Sequence, residues 1–99
     1  MSRRLDADEI DRQLIDLPGW SGDTTAIHAT VEFPDFSAAI RGVDEIAIVA
    51  EAMNHHPDID IRWRTLHLRL TTHDAGGVTQ LDVELAHRVA EIAAALGAT

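Results

Sequence analysis

His55 and His56 stand side by side directly before Pro57, in the stretch NHHPDIDIRW spanning residues 54–63. Imidazole gives or accepts a proton near neutral pH and needs no metal to do so, so two of them at a helix break point to general acid–base chemistry. Glu51 precedes His55 by four residues, which on a helix puts both side chains on one face. His73 and Asp82 follow along the chain, and only the fold decides whether they join the pair. Zinc is a rival use for histidines and a carboxylate, but neighbouring helical histidines point about 100° apart. Neither HExxH nor HxH occurs, so no metal is expected. The chain contains no cysteine, which excludes disulfides, thiolate nucleophiles and thiolate metal sites. Ser2, Ser21 and Ser37 sit in no nucleophile motif, and Gly76-Gly77 lacks a phosphate-loop pattern.

Simpler readings stand beside these. A histidine pair suits a helix C-terminus through the helix dipole alone. Glu51 reads equally as a solvated charge, and Asp82 as a capping residue. His28 and His67 fall on polar strand faces and His87 on a helix, where surface histidines are ordinary. Trp20 and Trp63 fit either the core or the wall of a pocket for a flat ligand.

The elements that must position these residues follow from periodicity and capping. Residues 6–16 predict a short helix, with Asp6 as N-cap and Glu9 at capping-box spacing; Ile10 and Leu14 share its face. Pro18-Gly19 ends it, a short strand is expected around Trp20, and SGDT (21–24) is turn chemistry. In residues 25–33, Ile27, Ala29, Val31 and Phe33 alternate with polar residues, which predicts a half-buried strand that Pro34-Asp35 breaks. Residues 36–54 predict a long helix whose apolar stripe is Phe36, Ile40, Val43, Ala47, Ala50 and Met53. Pro57 disfavours helical geometry at His56, so this helix should end there.

Two strands then alternate, Ile59-Ile61-Trp63 and Leu66-Leu68-Leu70, with a short link at Arg64-Thr65 that predicts an antiparallel hairpin. The loop HDAGG (73–77) precedes a last helix capped by Thr79, with Asp82 at the box position and Leu81, Leu85, Val89, Ile92 and Leu96 as its stripe. The order α-β-β-α-β-β-α predicts one α+β domain over residues 1–99. It should form two layers, an antiparallel sheet of about four strands with three helices on one face. The hairpin's return brings residue 73 beside residue 57. His55, His56 and His73 should therefore meet at one end of the sheet, with Glu51 and Asp82 nearby.

Composition bounds the partners. A net charge of −9 repels phosphate backbones, and the eight cations, all arginine, form no basic patch, so nucleic acid is not an expected partner. No apolar run reaches the ~18 residues of a membrane span. The N-terminus lacks the apolar core of a secretory signal, which makes the cytoplasm the expected location. Looseness is expected only in the first few residues and in the tail Gly97-Ala98-Thr99.

Glu51-xxx-His55-His56-Pro57, then Trp63, His73 and Asp82 at their spacings, resembles the pterin-4a-carbinolamine dehydratase family. LPGW (17–20), FPDFSAAI (33–40) and TTHDAGGVTQLD (71–82) extend the resemblance over nearly the whole chain. It implies dehydration of a 4a-hydroxytetrahydropterin to a quinonoid dihydropterin, without metal or organic cofactor. By the same resemblance His55 and His73 match general acid/base residues, and His56 matches a substrate-positioning one. Glu51 and Asp82 match site carboxylates, and Trp20 and Trp63 match aromatic positions near the pocket. It also implies a homodimer or homotetramer. A non-catalytic protein-binding or assembly-chaperone role on the same fold is the alternative it leaves open.

Overall fold

The computed structural model describes residues 3–99. Helix α1 (Ala7–Leu14) starts at a reciprocal capping box: Asp6 accepts the Glu9 N–H at 2.9 Å, and Glu9 accepts the Asp6 N–H at 3.0 Å. Arg3 forks onto the same Glu9 carboxylate and, with the Asp6 backbone bond, holds it at a pKa of about 2. Strands β1 (Trp20–Gly22) and β2 (Ile27–Glu32) follow, then helix α2 (Phe36–Met53), strands β3 (Asp58–Arg62) and β4 (Thr65–Leu70), and helix α3 (Gln80–Ala95).

The four strands form one antiparallel sheet in the order β1-β2-β4-β3. Its inner face is the alternating set that the sequence predicts: Ile27 and Ala29 from β2 lie opposite Leu70 and Leu68 of β4. Leu66, Leu68 and Leu70 are buried against Val83, Leu85 and Val89 of α3 and Ile46 of α2 in one core cluster. The other face is exposed and polar. No helix among the described residues is long and apolar enough to cross a membrane.

Three expectations need correction. The α2 stripe is rotated: Ala38, Ala39, Gly42, Ile46 and Ala50 face the core, while Phe36, Ile40 and Ala47 are exposed. Small residues win this face because they let the helix axis approach closely, and the Phe33 ring fills the space over Gly42. Trp63 does not continue β3. It turns out of the strand at a left-handed φ of 54° and forms the hairpin loop with Arg64, one residue earlier than expected. The tail is tied down, since Thr99 and Glu32 exchange both backbone hydrogen bonds at 2.9 and 3.0 Å. Met1 and Ser2 lie outside the described residues; at the start of the chain, Leu5 is buried and its N–H donates to the Val78 carbonyl.

The close contact at Gly42 generates a test. Gly→Ala in a helix ordinarily stabilises by about 1 kcal/mol, but a Cβ here would sit 2.8 Å from Phe33 Cζ. Overpacking of this kind costs ~1–3 kcal/mol, so Gly42→Ala should lower the urea midpoint. Adding Phe33→Leu should make the second substitution less costly than it is alone. An unchanged or higher midpoint for Gly42→Ala would show that the ring moves aside freely.

Candidate active site

The site begins where α2 stops. Asn54 takes the left-handed conformation (φ 51°, ψ 43°) that asparagine tolerates well, and the His55 N–H then closes back onto the Ala50 carbonyl at 3.0 Å. This reversal carries His55 inward, where only 9% of it remains exposed. His56, the next residue, stays on the surface.

Asp82 lies fully buried in the first turn of α3. Its Oδ1 accepts a hydrogen bond from His55 Nε2 at 2.6 Å. Its Oδ2 accepts the Thr79 N–H at 2.9 Å, which closes the capping box, and the Thr72 hydroxyl at 2.8 Å. A buried carboxylate is tolerable only with its oxygens satisfied, and here both are. The N-terminus of α3 adds a favourable dipole for negative charge.

His73 arrives from the other side. β4 ends at Leu70, and residues His73–Ala75 make one 3₁₀ turn. Thr72 and Gly77 pair backbone to backbone and close this loop. Gly77 is required there, because a Cβ would lie 2.3 Å from the Thr24 carbonyl oxygen.

Asn54, His55, His56, Thr71, Thr72, His73 and Asp74 line a cavity of ≈230 Å³. The three imidazoles thus come together as the hairpin argument requires. Of the carboxylates, Asp82 stands beneath the cavity through His55, and Glu51 stands at its rim through a hydrogen bond to His56 Nε2. Pro57 follows the pair, half-buried, and does not line the cavity. The tryptophans lie elsewhere in this single chain. Trp63 is 71% exposed at the far end of the hairpin, with the Arg64 guanidinium 4.8 Å over its ring. Trp20 is buried opposite Ala29 and lines a separate cavity with Ala93 and Ala94 of α3. Among the described residues no three His, Asp or Glu side chains are grouped to hold a metal ion.

A larger cavity of ≈540 Å³ lies on the open sheet face, between His28, His67, Arg69, Asp58 and Asp60. All five side chains are exposed, and the two histidines are engaged by Ser21 and Thr30 at 3.2 Å. No buried, oriented titratable group stands there, so the histidine cavity is the better candidate for chemistry. Four residues of the histidine cavity, Asn54, Thr71, Thr72 and Asp74, are not site candidates on sequence alone. Asn54 had a usable signal, an asparagine just after an apolar helical run. Thr72 had none beyond its residue type.

The family model for Pterin 4 alpha carbinolamine dehydratase matches residues 3–92. The chain belongs to this family. A protein of Roseiflexus sp. (strain RS-1), designated provisionally as a pterin-4-alpha-carbinolamine dehydratase, is 51% identical over 92 residues, covering 93% of this chain and 99% of its own. A similarly designated protein of Mycolicibacterium smegmatis (strain ATCC 700084 / mc(2)155) is 46% identical over 88 residues, covering 89% and 94%. Among solved structures, a transcriptional coactivator/pterin dehydratase from Brucella melitensis superposes with a TM-score of 0.88 at 33% identity, covering 92% of this chain and 99% of that one. A pterin dehydratase-like RuBisCO assembly factor of the alpha-carboxysome shares the fold, with a TM-score of 0.62 at 19% identity over 75% of this chain and 86% of that one.

Within this cavity the two imidazole–carboxylate pairs differ in burial, and their energetics should differ accordingly. Asp82→Ala strands the buried Thr79 N–H and the His55 ring, which should cost ~2–4 kcal/mol in urea unfolding. Glu51→Ala breaks an exposed pair and should cost under ~1 kcal/mol. Equal losses for the two variants would mean that burial does not set the difference.

Proposed function

We propose that the histidine cavity dehydrates a 4a-hydroxytetrahydropterin to the quinonoid dihydropterin. The observation that carries this reading is the convergence of three imidazoles, one of them anchored on a buried carboxylate, in one open cavity. Membership of the pterin dehydratase family and the designations of its relatives support the same substrate class.

The reaction breaks the C4a–O bond and makes a C4a–N5 double bond, with loss of the N5 proton and release of water. The C4a–O pair leaves with the water oxygen and the N5–H pair forms the new π bond, so no oxidant or reductant is needed and the work of catalysis is two proton transfers. In this reading His55, held by Asp82, takes the N5 proton. His73, exposed on its 3₁₀ turn, gives a proton to the departing hydroxyl. His56, steadied by Glu51, positions the pterin. General acid–base transfer of this kind contributes ~10²–10⁴-fold.

The protein-binding alternative has no site feature that favours it here. The assembly factor shares fold alone, and a binding role has no use for three convergent imidazoles. Stopped-flow decay of 4a-hydroxytetrahydropterin tests the reading against a no-protein control. Wild-type protein should accelerate it, and His55→Ala and His73→Ala should each lose at least tenfold. His73 is exposed, so its loss should leave the fold intact by circular dichroism. No acceleration by folded wild-type protein, or full activity in His73→Ala, would defeat the proposal.

A further inference from the structure

The hydrogen bonds around Asp82 have a direction that hydrogen counting determines. Thr72 owns one hydroxyl proton, and at 2.8 Å the Asp82 Oδ2 acceptor takes it. The 2.8 Å contact between the Thr72 and Thr79 hydroxyls therefore uses the Thr79 proton. Thr79 Oγ1 in turn accepts the Leu81 N–H at 3.3 Å. With the Thr79 N–H also given to Oδ2, every proton in this network points toward Asp82.

The remaining oxygen, Oδ1, faces His55 Nε2 at 2.6 Å. A carboxylate is ordinarily a weaker base than an imidazole, and Oδ2 already accepts two hydrogen bonds that favour the ionised form, so the shared proton belongs to Nε2. The lone pair of the neutral ring then lies on Nδ1. Among the described residues Nδ1 has no protein partner, and no buried side-chain nitrogen or oxygen is left unpaired, so Nδ1 is not sealed from solvent. His55 lines the cavity shared with His56 and His73, which gives that nitrogen a place to meet a ligand.

We infer that Thr72 is a positioning residue: through Asp82 its hydroxyl holds His55 as the Nε2–H tautomer, leaving Nδ1 as the atom that exchanges protons with substrate. The inference rests on the dehydratase reading for its consequence, but the tautomer itself is independent of activity. Thr72 suits the role by location. It lies just beyond β4, pairs with Gly77 to close the loop bearing His73, and hydrogen-bonds Asp82 in the first turn of α3. One hydroxyl thus links the loop of one histidine to the carboxylate of another. The partner of His56, by contrast, is an exposed glutamate with no such network behind it.

The test combines histidine ¹⁵N-labelled NMR with kinetics on the full chain, in wild type, Thr72→Val and Thr72→Ser. His55 signals are assigned by their absence in His55→Gln. Wild type should show His55 protonated at Nε2, with that proton protected from exchange, and Nδ1 bare. Thr72→Val should expose the proton to exchange and lower kcat about tenfold with KM little changed, as loss of one hydrogen bond to a charged group predicts. Thr72→Ser should restore both. A raised KM with unchanged kcat in Thr72→Val would assign Thr72 to substrate contact instead and overturn the inference. So would an Nδ1–H tautomer in wild type, or a His55 proton in Thr72→Val as protected as in wild type. Should Thr72→Val not fold, Thr72→Ala takes its place with the same expected losses. Should wild type lack dehydratase activity, the dehydratase reading falls, while the NMR comparison still decides the tautomer and the part of Thr72 in it.

Discussion

The hydrogen bond between His55 and Asp82 is the constraint on which the rest of this site depends. It puts a carboxylate and an imidazole in the interior, where removing one partner alone is strongly unfavourable. Everything around it is arranged so that neither group is left unpaired. Asn54 turns the end of α2 so that His55 can reach inward, and the capping box of α3 presents Asp82 to it. The two helices, which pack against each other, are thereby joined at the end of the sheet where the hairpin returns.

This constraint divides the cavity into a rigid half and an adaptable half. His55 has its ring fixed by a buried partner, whereas His56 leans on an exposed glutamate and His73 projects from a short turn. An exposed pair contributes little to stability, so Glu51 restrains the His56 ring far less than Asp82 restrains His55.

The comparisons separate fold from site. A RuBisCO assembly factor at 19% identity shares this architecture, so the sheet and helices by themselves do not specify chemistry. The proposed chemistry resides instead in side chains at the end of α2, the turn after β4 and the start of α3.

Much of this was legible in the chain itself, because local rules governed it. The period-2 alternation of Leu66, Leu68 and Leu70 and of Ile27 and Ala29 chose the buried sheet face, since adjacent strand residues must point apart. Asp6 and Thr79 announced helix starts because unpaired N–H groups need a nearby oxygen. The antiparallel return of the hairpin places His73 at the end of the sheet where His55 and His56 lie, a consequence of strand order alone. The face of α2 was misread because the large Phe36 and Ile40 drew the stripe to one side, whereas the buried Ala39 and Gly42 lie opposite the polar Arg41, Asp44 and Glu45. Trp63 was misplaced because alternation does not say where a strand gives way to a left-handed loop residue. The Thr72 hydroxyl, the orientation of Asp82 and the free nitrogen of His55 belonged wholly to the tertiary structure. Sequence patterns encode which way each backbone segment faces, but the direction of a hydrogen bond is set by the relative positions of three segments that meet only on folding.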